Sequence, residues 1–390
     1  MIIFYILSSL LIGWVTSALL CRFLSYAAEK KKMIYFTSIA LNAAAGIAFY
    51  FVGLKANVTD TMYNGRHVTS ATYYEPWDEK VKHTRKVRVG TDSEGNPKYK
   101  NETYYEREHH PKMFKYRLNN DSCEAVCTKA EFDSIVSRLS TKAVFVDMHR
   151  KYHSLDGDAY RYDWDGKNAH CYTVTVSKQF NNYLKGSDNS IFKYHVDEEM
   201  KEKYELFDYP KFSLENDQVT VLGYNCTKED IRHVQFINGY YGESKQFRLY
   251  VLFYDSQDVI AGEMQRSFWQ GGKPNEFVVC LGHEGDSITW CYPFSWSDTP
   301  KLEDMTKMYF MEHPRIDISK YALFVIKNLD SWNPKNFDDF SYLSNSMKIA
   351  PSIRLILVIV FFNLIIGFIL VIKDRSKKKK DSTTYRRRSF

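Results

Sequence analysis

The chain contains little proline and glycine, with 10 Pro and 18 Gly among its 390 residues. Flexible linkers are rich in these residue types, so a mainly unstructured spacer is excluded. Aromatic residues are frequent by contrast, with 29 Tyr and 26 Phe. Aromatic side chains favour β-strands, and the composition therefore indicates folded, strand-containing structure.

The sequence also lacks the common catalytic motifs. It has no G-x-S-x-G elbow and no H-E-x-x-H zinc motif. Gly271-Gly272-Lys273 is not a phosphate loop, because Pro274 follows the lysine where Ser or Thr is needed. We therefore predict no catalytic residue, no cofactor and no metal from motifs alone. A site assembled from distant residues stays open.

Two short segments resemble metal sites only superficially. His109 and His110 are neighbours on a predicted strand, so their side chains point to opposite faces and do not form a site by themselves. The acids between Asp156 and Asp165 fail the EF-hand spacing. We interpret the latter segment as a tyrosine-rich turn and strand.

Three apolar stretches are long enough to cross a bilayer as helices, which takes roughly 20 apolar residues. They are Met1–Leu20, Met33–Leu54 and Leu355–Ile372, the last within a helix predicted over 353–372. Met1–Leu20 lacks a positive n-region and a small-x-small cleavage site, which favours a retained span over a signal peptide. No ionisable residue lies in mid-span, so we do not expect a transporter or channel. Asn42 and Ala43–Gly46 predict close packing between the first two helices.

Positive charge is concentrated beside these stretches, in the 21–32 loop and the 373–390 tail. The main lysines are Lys30, Lys31, Lys32, Lys377, Lys378, Lys379 and Lys380. Cytoplasmic loops carry the excess of Lys and Arg, so we predict that both clusters are cytoplasmic and that the N-terminus and residues 55–349 are outside. The lysines are expected to contact anionic lipid headgroups of the bilayer. Nucleic-acid binding is not expected, because no folded frame holds the lysines.

Six of the seven cysteines fall in the 55–349 segment. They are Cys123, Cys127, Cys171, Cys226, Cys280 and Cys291. An even number on the oxidising side of a membrane indicates disulfides. The midpoint between Cys280 and Cys291 falls in the turn Gly282–Asp286, so these two are predicted to lie opposite each other at bridging distance. Two buried free thiols are the alternative, and the partners of the other four stay open.

The first part of this segment, residues 55–245, is predicted to be a strand-rich domain. Polar and apolar residues alternate from Val81, turn residues follow at 91–97, and a second alternating run ends at Glu108. This pattern predicts a long hairpin with at least one solvated face. Thr128–Leu139 predicts a helix with a capping box.

The second part, residues 246–349, is predicted to be an α/β domain. Strands are predicted at Phe247–Tyr254, around Cys280 and Cys291, and at Tyr321–Ile326, with helices at Gln257–Trp269 and Lys301–Met311. A strand, a helix and a strand within about 30 residues indicate a βαβ unit. The fold class is thus a membrane-anchored α+β protein: an N-terminal transmembrane helical hairpin, a strand-rich then α/β extracytoplasmic segment, and a C-terminal transmembrane helix.

Two groups of residues carry resemblances to known families. Tyr73-Tyr-Glu-Pro-Trp-Asp-Glu79, the charged hairpin, His110-Pro111 and Tyr160-Arg-Tyr-Asp-Trp-Asp-Gly166 resemble uncharacterised membrane-anchored proteins of bacteria and their large phages. The segment Trp269–Gly282 is similar to TPM domains, which are often membrane-tethered outside the cytoplasm. The first resemblance implies a bacterial or phage setting, and the second implies a phosphatase-like activity. Asn275-Glu276 stands where that family carries Asp-Asn-Gly.

These patterns favour a non-enzymatic envelope protein of a bacterial inner or plasma membrane, whose outer segment binds an unknown protein partner. An extracytoplasmic hydrolase of TPM-like type is one alternative, and a structural subunit of a membrane assembly is the other. The oligomeric state stays open.

Overall fold

The structure is a computed structural model of mixed α+β architecture. It describes residues 2–23, 28–139, 142–151, 155–166, 171–187, 196–210 and 220–347, with single positions between 357 and 369. The helices are α1 Ile2–Phe23, α2 Ala28–Val58, α3 Lys129–Val136, α4 Met148–Lys151, α5 Tyr183–Gly186, α6 Glu198–Lys203, α7 Lys228–Ser244, α8 Ile260–Phe268, α9 Lys301–Glu312 and α10 Ile318–Asn328, with 3-10 helices at Leu329–Ser331 and Phe337–Ser346. The strands are β1 Thr59–Tyr74, β2 Trp77–Thr91, β3 Pro97–His110, β4 Met113–Leu118, β5 Ala125–Cys127, β6 Val144–Val146, β7 Ala159–Asp163, β8 Thr173–Asn181, β9 Val221–Leu222, β10 Arg248–Tyr254, β11 Glu276–Glu284 and β12 Ser287–Ser295.

Two compact units make up the chain. The first contains Met1–Asp60, Gln179–His195 and Asn336–Phe390, and the second contains Thr61–Lys178 and Val196–Lys335. The predicted boundary between residues 245 and 246 stays a prediction.

The first unit contains the paired helices α1 and α2. Ser9 donates a hydrogen bond of 2.8 Å to the backbone carbonyl of Asn42, and a Cβ on Gly13 would collide with the Asn42 side chain. Asn42 is buried between the helices, as the sequence predicts. Such close approach depends on small residues at the interface.

Among the described residues, one helical segment, Ile39–Val58, is long and apolar enough to cross a membrane, and Ile6–Val15 is a shorter apolar helical segment. The segment Ile6–Val15 lies within the first predicted span, Met1–Leu20, whereas Ile39–Val58 overlaps the second, Met33–Leu54, and extends beyond its end. Of the third predicted span, 353–372, the structure describes Leu357, Val358, Val360, Phe361, Phe362, Ile365 and Ile369. The remainder of that span and the tail lysines lie outside the described residues.

The second unit begins with a six-stranded sheet in the order β5-β4-β1-β7-β6, with β8 also paired to β1. One face of this sheet forms a core with Val68, Ala71 and the α3 residues Phe132 and Ile135. Helix α3 begins at the predicted place, because Thr128 and Glu131 form the expected capping box. The opposite face of β1 carries polar side chains.

A four-stranded sheet of order β12-β11-β10-β9 forms the other part of the second unit. Strands β9, β10 and β11 are parallel, and β12 is antiparallel to β11. Helices α7, α9 and α10 cover one face, and α8 covers the other. The predicted βαβ unit is confirmed as β10-α8-β11, and the helix predicted at 301–311 is confirmed as α9.

The strand predicted at Tyr321–Ile326 is wrong, because these residues belong to helix α10. Its buried residues, Ile318, Tyr321, Ala322 and Val325, recur at helical spacing. Asp317 caps the helix by accepting a hydrogen bond of 2.9 Å from the Lys320 backbone. A short apolar run does not by itself distinguish a strand from a buried helix.

The predicted opposition of Cys280 and Cys291 is also wrong. A bulge between Gly282 and His283 shifts the register by one residue, so Cys280 faces Tyr292 and Cys291 faces Leu281. Because side chains alternate between faces, a shift of one residue places the two thiols on opposite sides of the sheet. Cys280 lies in the core on the α8 side, and Cys291 packs against the core on the α9 side.

Glycines bring β1 and β8 into direct contact with α7. A Cβ on Gly65 would collide with the backbone carbonyl of Asn238, and one on Gly239 would collide with the Thr173 side chain. Arg66 adds an ion pair of 3.0 Å with Glu243 at the end of α7. The six-stranded sheet and the four-stranded sheet are therefore joined through backbone-to-backbone packing.

Candidate functional site

Strands β2 and β3 form a long hairpin, which we call the arm (Trp77–His110). Fourteen residue pairs join the two strands. In the described part of the chain this two-stranded sheet pairs with no other strand. Nearly every arm residue beyond Val87 and throughout β3 is exposed. The predicted hairpin is thus confirmed, and it projects into solvent.

The root of the arm is anchored by aromatic stacking. Trp77 is buried and stacks on the His110 ring at a centroid distance of 4.5 Å. His110 Nε2 contacts Glu79 at 3.0 Å, while His109 Nδ1 contacts Asp78 at 2.7 Å. The two histidines therefore engage different acids on opposite faces, as predicted from strand alternation.

The tip of the arm is an ordered turn built on Asp92. Its carboxylate accepts hydrogen bonds from the backbone N–H groups of Asn96 at 2.7 Å and Glu94 at 3.0 Å. Hydrogen bonding from the Asn96 backbone is the main cause that lowers the pKa of Asp92. The turn therefore holds its shape at neutral pH, where this carboxylate is ionised.

One face of the arm carries acids and bases together, and some of them form pairs. Arg85 forms an ion pair of 2.9 Å with Glu102 and lies over the Tyr104 ring at 5.3 Å. His83 lies 3.7 Å from Glu106 on the same face. We call this the paired face.

The other face is strongly basic, and we call it the cationic face. Its members are Lys80, Lys82, Lys86, Arg88 and Arg107, with Tyr99 and Tyr105 between them. Asp78 lies 3.5 Å from Arg107 at the root, and beyond it this face carries no acid. Both tyrosines are more than half exposed, and Lys80 lies 5.1 Å from the Tyr105 ring. Lys80, Lys82, Lys86 and Arg88 thus form a cluster of one sign, and such a cluster attracts an oppositely charged partner over a distance of about 10 Å.

A polar cavity lies on the non-core face of the six-stranded sheet, and we call it the basin. Its volume is about 310 Å³. The lining residues are Thr69, Ser70, Thr72, Tyr74, Arg117, Glu124, Val146, Arg161 and Asp163. Sequence reasoning missed the basin, because its residues come from separate strands whose order is not visible in a single sequence.

The six cysteines of the described segment are free thiols. Cys123 is exposed, Cys171 and Cys280 are buried, and Cys127, Cys226 and Cys291 are partly buried. Burial raises the pKa of Cys127 and Cys226 to about 11, and that of Cys291 to about 12. Burial also raises the pKa of Cys280. Thiols with such pKa values are protonated at neutral pH and are poor nucleophiles.

The residues that carry the TPM resemblance are structural in their contacts. Asn275 and Glu276 are fully buried. Asn275 Nδ2 donates to the Tyr63 carbonyl at 2.9 Å, and Glu276 accepts hydrogen bonds from the Tyr209 hydroxyl and, at 2.7 Å, from the Lys273 backbone. Burial raises the pKa of Glu276, although these hydrogen bonds oppose that rise. Both side chains thus hold the loop after α8 in place through hydrogen bonds.

Within the described ranges, His, Cys, Asp and Glu form no group of three that could hold a metal ion. The basic residues Lys30, Lys31 and Lys32 lie in α2, and Lys377–Lys380 lie outside the described residues.

Comparisons with known proteins assign no family to the chain. No family model, no curated protein and no solved structure matches it. The function must therefore be argued from the residues and their geometry.

Proposed function

We propose that this is a three-span membrane protein whose outer segment binds an acidic protein partner through the cationic face of the arm. The observation that carries the proposal is the segregation of charge on a projecting hairpin. Acids and bases occur together on one face, and five cations with two exposed tyrosines occupy the other. Tyrosine and arginine are enriched at the energetic centres of protein interfaces.

The spacing of the cations fits an extended acidic segment. Lys80 and Lys82 lie two residues apart on β2, as do Lys86 and Arg88. This repeat is about 6.8 Å along a strand, the same as that of alternate side chains in a second extended chain. Carboxylates at alternate positions of a partner would therefore lie in register with these cations.

The free-standing form of the arm also supports binding. Both of its edges lack a strand partner in the described part of the chain. A two-stranded hairpin without further packing is marginally stable in water, and an exposed edge is a template for another strand. A partner that covers the arm would stabilise the hairpin and would cover its exposed edges.

The three-span topology rests on the helices and the charge distribution together. Ile39–Val58 has the length and composition of a span, and basic clusters flank the apolar stretches at 30–32 and 377–380. By the positive-inside rule, this arrangement supports the proposal that the 55–349 segment, including the arm, lies on the outer side.

The partner proposal is tested by two charge-reversal variants that change the net charge equally. Lys82→Glu with Lys86→Glu alters the cationic face, whereas Arg85→Glu with Lys100→Glu alters the paired face. The full-length protein is crosslinked in its native cells, and the captured proteins are identified by mass spectrometry. We expect the same acidic protein with wild type and the paired-face variant, and its loss with the cationic-face variant.

Capture that is equal in both variants would exclude the cationic face as the binding surface. The captured complex should also weaken as ionic strength rises, because exposed charges are screened within about 10 Å at 0.1 M salt.

The topology is tested by labelling intact cells with a membrane-impermeant thiol reagent. In a Cys123→Ser background, which removes the exposed native thiol, a cysteine introduced at Glu94, in the tip of the arm, should react, and one introduced at Ser382 in the tail should not. The reverse pattern would invert the proposed orientation.

A further inference from the structure

The basin on the six-stranded sheet has the features of a second binding site, separate from the arm. Its floor is formed by alternate residues of β1, Ser70, Thr72 and Tyr74, whose neighbours Ala71 and Tyr73 face the core instead. Arg117 lies opposite Ser70 on β4, and Asp163 lies opposite Ser70 on β7. Strand pairing thus brings charged side chains to both sides of a row of hydroxyl groups.

Most charges in the basin are already paired within the protein. Glu124 accepts a hydrogen bond of 2.9 Å from Thr72 and one of 2.7 Å from the Tyr74 hydroxyl. Arg161 forms an ion pair of 3.0 Å with Asp163. These contacts fix the walls of the cavity. One charged side chain of the lining takes part in none of them.

That remaining group is Arg117. Within the part of the chain that the structure describes, its guanidinium makes no hydrogen bond and no ion pair, and its Nε is shielded from solvent. Ser70, a buried residue, lies directly opposite Arg117 and lines the same cavity. A buried donor without an acceptor is costly, and each such group in a native structure calls for an occupant.

We propose that the basin binds a small molecule through a carboxylate or phosphate group held by Arg117 and Ser70. A guanidinium presents parallel N–H donors that match both oxyanions in a bidentate arrangement. The volume of about 310 Å³ is at the small end of ligand pockets, so the ligand is of metabolite size. The proposal is independent of the arm and of its partner.

The test measures thermal unfolding of the full-length protein in detergent with increasing phosphate, acetate or succinate. Sodium chloride at equal ionic strength is the reference, since it separates specific binding from screening. We expect at least one oxyanion to raise the midpoint in a saturable manner, because a ligand that binds only the native state stabilises it.

Arg117→Gln should weaken this binding by roughly tenfold or more, because it removes a charge-assisted hydrogen bond. Arg232→Gln, an exposed arginine on α7, should leave the affinity unchanged and serves as the matched control. If Arg117→Gln does not fold, Ser70→Ala replaces it, with an expected loss of several-fold. The proposal is overturned if no oxyanion shifts the midpoint beyond the chloride reference, or if the folded basin variant binds as tightly as wild type.

Discussion

At the scale of single residues, Asp230 joins two helices that are distant in sequence. Its carboxylate completes the capping box of α7 with Thr227 and accepts bonds of 2.9 and 2.7 Å from the backbone and hydroxyl of Ser319 at the start of α10. Burial alone would raise the pKa of Asp230, but the hydrogen bonds from Thr227 and Ser319 outweigh burial and lower it.

This arrangement predicts a pH-dependent contribution to stability. An aspartate with a lowered folded pKa contributes stability above its unfolded pKa of about 3.9, and the contribution is lost as the pH falls through the folded value. Asp230→Ala should therefore lower the free energy of unfolding by about 1–2 kcal/mol at pH 7 and by less in acid. Urea unfolding at several pH values measures this. Glu229→Ala, an exposed neighbour, is the control, and an equal loss in both variants would contradict the assignment.

The positions of Cys280 and Cys291 lead to a second prediction. Their side chains lie on opposite faces of β11 and β12, so no disulfide joins them even after oxidation. Tyr292→Cys, by contrast, places a thiol directly opposite Cys280 and should allow a crosslink. Peptide mapping by mass spectrometry without reductant distinguishes these outcomes, and a native 280–291 crosslink would contradict the register.

At the scale of elements, the packing of α7 against β1 and β8 depends on the absence of side chains. The Cβ introduced by Gly239→Ala would collide with the Thr173 side chain on β8. Neither β8 nor α7 can move away without disturbing the hydrophobic core that it packs against. We expect a loss of about 1–3 kcal/mol in unfolding free energy, which is typical of overpacking. Arg232→Ala, on the exposed side of the same helix, should have little effect. Chemical denaturation of both variants tests this.

Local patterns were sufficient for some elements and insufficient for others. The alternation from Val81 to Glu108 predicts the arm, and Thr128 with Glu131 predicts the start of α3, because both signals lie within a few residues. The helix at Tyr321–Ile326 is mistaken for a strand, since its apolar run fits both periods. The bulge at Gly282–His283 has no local signature, and it decides which thiols can meet.

The same distinction applies to the candidate sites. Alternation in β2 alone places Lys82 and Lys86 on one face, so half of the cationic face can be predicted from sequence. Arg107 and Tyr105 join that face only through the pairing register of β3. The basin could not be predicted at all, because it requires β1 to lie between β4 and β7.

At the scale of the whole molecule, the arm adds surface without adding core. Its burial is concentrated at the root, around Trp77 and His110. Deleting Lys80–Glu108 and closing the gap with a short turn should therefore change the unfolding midpoint by no more than about 2–4 °C, a shift equivalent to about 1 kcal/mol. Calorimetry of the full-length and shortened proteins measures this. A large fall in the midpoint would show that the arm stabilises the second unit.

The central position of β1 has a consequence for synthesis. This strand is made early, yet the Asn275 side chain that bonds to Tyr63 follows it by 212 residues. At about 5–20 residues per second, the interval between them is on the order of 10–40 s. During the first part of that time, until β4 and β7 have been made, the central strand waits with its edges uncovered. The period of greatest aggregation risk is thus set by the order in which the strands are synthesised, and not by the stability of the folded protein.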